Sequence, residues 1–296
     1  MTEGTVIRTL RACCCSVFAL AGALLLDSAQ VHAANNPEDQ VQKSFEKTLP
    51  LTGNQGLSLD NRFGNVHVSG ASGHDVKINA TIHVQAKSKE EAQEFADKIQ
   101  IDVQQSGDGV HVRTIYPDEH GFRLQWKRAS YSVDYDVTLP VDAPLWVRND
   151  FGNVETAGVH GWARVESGHG SVEVKDAGQT KITNAFGRIE LNNASGNSVI
   201  VNNNGQVEVT NVKGTLDIKN RFGNITASQI GGATTISGGN GNVELTNVSG
   251  GATVTNSFGN VSARTIGGNL NVRDNNAKVE AYDVTGNAQP AAACSA

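Results

Sequence analysis

The sequence predicts an all-β protein: a single-stranded β-solenoid with 18-residue coils, joined to an N-terminal β-rich excursion that contains one short helix. Two glycine series and an apolar alternation lead to this class. The first series runs Gly152, Gly170, Gly187, Gly205, Gly223, Gly241, Gly259 and, in the last unit, Ala277, in steps of 18 residues and once 17. The second, Gly161, Gly178, Gly196, Gly214, Gly232, Gly250, Gly268 and Gly286, keeps the same period. A unit of this size that holds its period marks a stacked repeat. Within each unit apolar and polar residues alternate. Two residues after the first glycine come Val154, Val172, Ile189, Val207, Ile225, Val243, Val261 and Val279. Two further on stand Thr156, Val174, Leu191, Val209, Ala227, Leu245, Ala263 and Ala281. Such alternation means strands with one buried face. Two short strands per unit make a coil that is unstable alone and buries a thin core once stacked about 4.8 Å from its neighbours. The composition agrees, with 32 Gly and only 5% aromatics, as suits many short strands and tight turns.

Along the chain, residues 1–33 read as a secretory signal peptide. Arg8 and Arg11 supply the basic start, Ser16 to Leu26 an apolar run, and "VHA" at Val31 to Ala33 a small-residue cleavage site. The run is well short of the ~20 residues of a spanning helix, so an uncleaved anchor is the weaker reading and no transmembrane segment is expected in the mature chain. Cys13, Cys14 and Cys15 leave with the peptide and only Cys294 remains, so no internal disulfide framework is expected. Residues 34–60 form a lead-in with a strand, and 61–79, "NRFGNVHVSGASG" onward, a first coil. Residues 80–144 leave the coil register. Their helix, 88–99, has a capping box at Ser88 and Glu91 and an apolar stripe of Ala92, Phe95, Ala96 and Ile99. Strands follow near Ile101–Gln105, Val110–Ile115, Phe122–Trp126 and Tyr131–Leu139. The solenoid repeats occupy 145–288, and 289–296 are a flexible tail.

One phrase recurs five times: "NRFGNV" from Asn61, "NDFGNV" from Asn149, "NAFGRI" from Asn184, "NRFGNI" from Asn220 and "NSFGNV" from Asn256. Parity places both its Asn (Asn149, Asn184, Asn220, Asn256) and its Phe (Phe151, Phe186, Phe222, Phe258) on the inward face. There each Asn is expected to bond to its counterpart in the next coil, as in stacked β structures. The glycine that follows, Gly152, Gly187, Gly223 or Gly259, permits the positive φ of a corner. An exposed aromatic stripe for sugars is the competing reading. Two other solenoids are excluded. A left-handed acyltransferase helix needs a six-residue apolar period, and a calcium β-roll needs an aspartate where "GGNGNV" has Val243.

The early G-N-V coil, the intervening strands, the "VTLPVDAPLWV" step into the array and the recurring F-G-N-V resemble a family of exported bacterial adhesin-like proteins, the β-strand-repeat or "toastrack" domains of unknown function. The resemblance spans most of the mature chain. It implies cell-surface adhesion and, in some lineages, envelope-stress sensing.

For chemistry the sequence offers little. No G-x-S-x-G, H-E-x-x-H, Walker loop or C-x-x-C occurs, and His67, His74 and His83 lack metal-ligand spacing. No cofactor is expected. A net charge of -6 with no long basic run argues against a nucleic-acid partner. One outward row is acidic: Glu155, Glu173, Glu190, Glu208, Glu244 and Glu280, interrupted by Thr226 and Ser262. It is either a stripe for a cationic partner or divalent ions, or a solvated face offset by Lys175, Arg188, Arg264 and Lys278. In "HGFRLQWKRASY", Phe122 and Trp126 alternate with Arg123 and Lys127, a contact strand for a glycan or anionic component or a strand that buries its rings. The expected function is an exported, non-catalytic, adhesin-like binding or structural module of the cell envelope with an unknown surface ligand. An envelope-stress sensor is the alternative. A polysaccharide-cleaving β-helix is weaker, because coils this short leave no loops to gather paired acids in a groove.

Overall fold

The computed structural model describes residues 39–117, 129–275 and 278–292. The expected signal peptide, Phe122, Arg123, Trp126, Lys127, Ala277 and Cys294 lie outside them.

The N-terminal part comprises β1 (Gln40–Pro50), β2 (Gly56–Phe63), β3 (Val66–Ala71), β4 (Asp75–Gln85), α1 (Lys89–Lys98), β5 (Gln100–Ser106), β6 (Gly109–Ile115) and β7 (Ser130–Pro140). The array opens with β8 (Leu145–Phe151), β9 (Val154–Ala157), β10 (Ala163–His169), β11 (Val172–Ala177), β12 (Thr180–Phe186), β13 (Ile189–Ala194), β14 (Ser198–Asn204) and β15 (Val207–Val212). It continues with β16 (Leu216–Phe222), β17 (Ile225–Ile230), β18 (Thr234–Asn240), β19 (Val243–Val248), β20 (Ala252–Asn256), β21 (Val261–Ile266), β22 (Leu270–Asp274), β23 (Val279–Val284) and β24 (Ala288–Ala292).

The strands form two 12-stranded sheets. From β8 onward the even strands lie in one, called B, and the odd strands in the other, called A, so each coil gives one strand to each sheet. Pairing is parallel and in register. Val172 faces Ile189, Ile189 faces Val207, and Val207 faces Ile225. The row is almost wholly buried, as is its companion of Val165, Ile182, Ile200, Ile218, Ile236 and Val254 in sheet B. Each such side chain contributes roughly 1.5–3 kcal/mol on leaving water. The expected solenoid is the observed fold.

The excursion turns out to be the cap of the array. First-coil strands β2 and β3 stack directly on β8 and β9. On their other side β6 runs parallel to β2, and β7 parallel to β3, making one more coil. Antiparallel strands then finish both sheets, β4 against β7 and β1 against β4 in one, and β5 against β6 in the other. Helix α1 begins where Ser88 accepts a hydrogen bond from the Glu91 amide. It buries Ala92, Phe95 and Ala96. At the other end β24 pairs with β22, so the segment expected to be a tail from residue 289 is strand as far as Ala292.

Candidate functional site

The repeated phrase resolves residue by residue. Its first Asn points inward as expected: Asn149, Asn184, Asn220 and Asn256 are buried. The amide does not bond chiefly to the amide of the next coil. Asn220 Nδ2 donates to the Gly223 carbonyl of its own corner, 3.0 Å, and to the Gly205 carbonyl of the preceding one, 2.9 Å. Asn202 repeats this toward Gly205 and Gly187, and Asn256 toward Gly259 and Gly241. At Asn202 and Asn220 both donors are spent on glycine carbonyls, which leaves none for the next amide oxygen. Consecutive coils are therefore stapled chiefly through carbonyls, and among the described residues of this row direct side-chain bonds join Asn61 to Asn149, 3.2 Å, and Asn256 to Asp274, 3.4 Å.

Phe151, Phe186, Phe222 and Phe258 overturn the inward expectation, with 38–54% of their surface exposed. Parity holds only while the strand is straight. Here the chain turns around the Asn amide, which already fills the inner corner, and the ring is carried outside. Phe63, Phe151, His169 and Phe186 stack face to face at 4.7–5.4 Å, spanning four coils. Stacking along the array axis turns ring edges, not faces, to solvent, which argues against sugar binding on this stretch. The corner glycines have φ of +112° to +154°. A Cβ on Gly187 would run into the Gly170 carbonyl oxygen. The second Asn of the phrase is also occupied: Asn224 Oδ1 accepts the Asn242 amide, and Asn242 Oδ1 the Asn260 amide.

On sheet A the acidic row is in register, with Glu155, Glu173, Glu190 and Glu208 on adjacent strands. Most of its charge is met locally. Lys175 Nζ lies 2.5 Å from Glu173, and Arg188 bridges Glu190 and Glu208 at 3.0 and 2.7 Å. Lys278 lies 2.5 Å from Glu280, and His67 3.6 Å from Glu155. Hydrogen bonding to these carboxylates holds Lys175 and Lys278 above the ordinary lysine range, and Lys278 holds Glu280 below the ordinary carboxylate range. Arg264 lies over the Tyr282 ring. Glu244 has no ion pair among the described residues. Nor do the described residues bring three or more His, Cys, Asp or Glu together as a metal site. The geometry favours the solvated, offset face.

One cluster imitates a hydrolase. Ser106 donates to Asp108 on the β5–β6 turn, and His111 Nε2 lies 3.1 Å from Ser106 Oγ and 3.0 Å from Asp108 Oδ1. A single ring nitrogen serves both partners, whereas proton relay requires one nitrogen for each. The Ser106 and His111 hydrogen bonds pull Asp108 down to about 2. The cluster closes a turn.

Sheet B carries what sequence reasoning missed. Trp146 and Trp162 are 40% and 43% exposed. Arg164 lies over the Trp146 ring, 5.8 Å from its centroid. The signal was present: Leu145, Val147 and Ala163 occupy inward positions, so Trp146 and Trp162 stand on the outward parity. On this outer face Arg148, Arg164, Lys181, Lys219, Arg221 and Arg273 outnumber Asp150, Glu166 and Asp217. Sheet A shows the reverse balance.

No family model matches the chain, and no curated protein matches it. Solved structures similar to it include a "putative cell adhesion protein" from Clostridium sporogenes, 11% identical, covering 84% of this chain and 100% of that one with a TM-score of 0.30. Another is a "putative adhesin" from Parabacteroides distasonis, 13% identical over 83% of this chain and 96% of that one, TM-score 0.32. A "putative lipid binding protein" from the same species is 12% identical over 83% and 97%, TM-score 0.29. Scores this low say nothing of activity or ligand. Among the described residues no helix is long and apolar enough to cross a membrane.

Proposed function

We propose that the chain is an exported, non-catalytic β-solenoid serving as an adhesin-like binding or structural module of the bacterial cell envelope. The supporting observation is the concentration of large exposed aromatics on one side of the array: Trp146 and Trp162 at one margin of sheet B, and Phe151, Phe186, Phe222 and Phe258 at the other. A soluble monomer rarely leaves so many rings in water without a surface to meet. The in-register walls suit an extended partner better than a small substrate in a cleft. The leader-like first 33 residues agree with export.

Two measurements test the reading. Residues 1–33 fused to a reporter should direct export and be cleaved after Ala33. Immobilised chain from residue 34 onward should retain surface polysaccharide or protein from envelope extracts. Failure to retain any envelope component, or release of reducing ends from a polysaccharide by the purified chain, contradicts it.

A further inference from the structure

The outer face of sheet B near the cap carries a compact constellation. Trp146 of β8 is register partner of Arg164 in β10, and Arg164 of Lys181 in β12. Trp162 immediately precedes β10, on the outward parity shared by Arg164. Gln179 stands beside it in the next coil, since the Ala163 amide bonds to the Gln179 carbonyl. The two indoles thus lie on a diagonal, one coil and two residues apart, about 8 Å between Cα atoms from strand geometry. On the other side of Trp146 the register partner is the small Ser58, which leaves that flank uncrowded. Arg164 is paired with Glu166. Lys181 and Gln179 are exposed and have no side-chain partner among the described residues.

We propose that Trp146, Trp162, Arg164, Gln179 and Lys181 form a binding site for a carboxylated polysaccharide of uronic-acid type. The inference rests on the binding-module reading above and names its ligand class. Indole faces take the C–H face of a sugar ring, a flat and partly apolar surface. Lys181, which has no partner among the described residues, supplies positive charge for a carboxylate beside that ring. Arg164, with its charge met by Glu166, offers its remaining N–H donors, and the Gln179 amide can bond hydroxyls. Charge complementarity selects the acidic sugar: this face is cationic on a chain whose net charge is -6. A protein partner fits less well. Away from the indoles the same face carries Thr183, Thr235, Ser237, Thr253 and Thr255, with Val199 as an exposed apolar residue beside Lys181, so its apolar side chains are scattered and not joined in one patch.

The test is calorimetric titration of the folded chain with polygalacturonate, and with dextran as the neutral comparator. Polygalacturonate should bind, less tightly as salt rises, and dextran should bind much more weakly. Trp146→Ala and Trp162→Ala should each weaken binding about tenfold, the loss of one stacked ring. Lys181→Glu should weaken it at least as much, and Thr253→Glu, on the same face but four coils from Lys181, far less. All four positions are outward, so an unchanged melting temperature separates loss of binding from loss of fold. Equal affinity of the Trp146→Ala/Trp162→Ala double variant overturns the site. Dextran binding as tight as polygalacturonate overturns the acidic class. Absence of polygalacturonate binding also overturns it, and self-association abolished by the same substitutions then assigns the face to a second copy. Failure of this site alone leaves envelope retention by the wild-type chain intact and indifferent to the two Trp substitutions, whereas failure of the module reading abolishes retention altogether.

Discussion

At Asn149, Asn202, Asn220 and Asn256 a coil is joined to its neighbour by one asparagine amide that reaches two glycine carbonyls. Asn220→Ala should cost about 1–3 kcal/mol, because it strips a donor from the Gly205 and Gly223 carbonyls and leaves a buried gap; urea unfolding measures it. Gly187→Ala should cost more, on the order of 3 kcal/mol or above. It combines a φ of +135° with a Cβ directed at the Gly170 carbonyl. After Gly158, whose φ is +69°, the other corner carries its left-handed residue without glycine: Asp176, Asn193, Asn211, Gln229, Asn247, Thr265 and Asp283 all have φ between +50° and +61°. Asn and Asp tolerate this region, and a β-branched residue does not. Thr265→Asn should therefore raise stability by roughly 0.5–1 kcal/mol in the same assay, and a loss would contradict the strain assigned there. At this scale the sequence was partly legible. The inward Asn and the positive-φ glycines followed from parity and period. The outward Phe did not, because a period-two rule cannot register the bend that ends a strand. The second glycine series serves for closeness, not for φ: a Cβ on Gly178 would meet the His160 carbonyl.

At the level of elements, the cap completes what the first coil lacks. Asn61 is one asparagine of the row whose amide oxygen is satisfied, by Thr114 at 3.0 Å and Tyr116 at 2.9 Å. Thr114 also bonds the Tyr135 hydroxyl, 2.6 Å. The oxygens of Asn184, Asn202, Asn220 and Asn256 have no such partner. Burial pushes the Tyr135 phenol up to about 12 from its ordinary 10, and Tyr116 moves the same way for the same cause. A phenol harder to ionise in the folded chain makes a contribution that is full below pH 10 and is lost as the pH climbs to about 12. The cap should therefore loosen across that window, with tyrosinate absorbance and circular dichroism changing together; tyrosine ionisation with a midpoint near 10 would contradict it. Helix α1 was legible because Ser88 and the Ala92/Phe95/Ala96 stripe are local signals. That β6 and β7 form an extra coil was not, since strand period does not encode the partner strand. Residue 80 onward reads as an interruption until the pairing of β6 with β2 is seen.

For the whole molecule, two parallel sheets carry opposite surfaces: a largely neutralised acidic row on A, and indoles, phenyl rings and excess cations on B. The repeats made the array legible from glycine spacing alone. Surface chemistry was less so. A row of glutamates is conspicuous in sequence, while the lysine or arginine that neutralises it depends on side-chain reach across coils, as Arg188 shows with Glu190 and Glu208. Trp146 and Trp162 are inconspicuous because they fall in different coils. The most direct measurement on this architecture is the distance between spin labels at Thr183 and Arg273. They stand in one outward row of sheet B, linked by five register steps through Val201, Lys219, Ser237 and Thr255. In-register winding predicts a narrow distribution centred at roughly 24 Å between the backbones, from about 4.8 Å per step. A broad distribution, or a centre displaced by more than two coil heights, would contradict it.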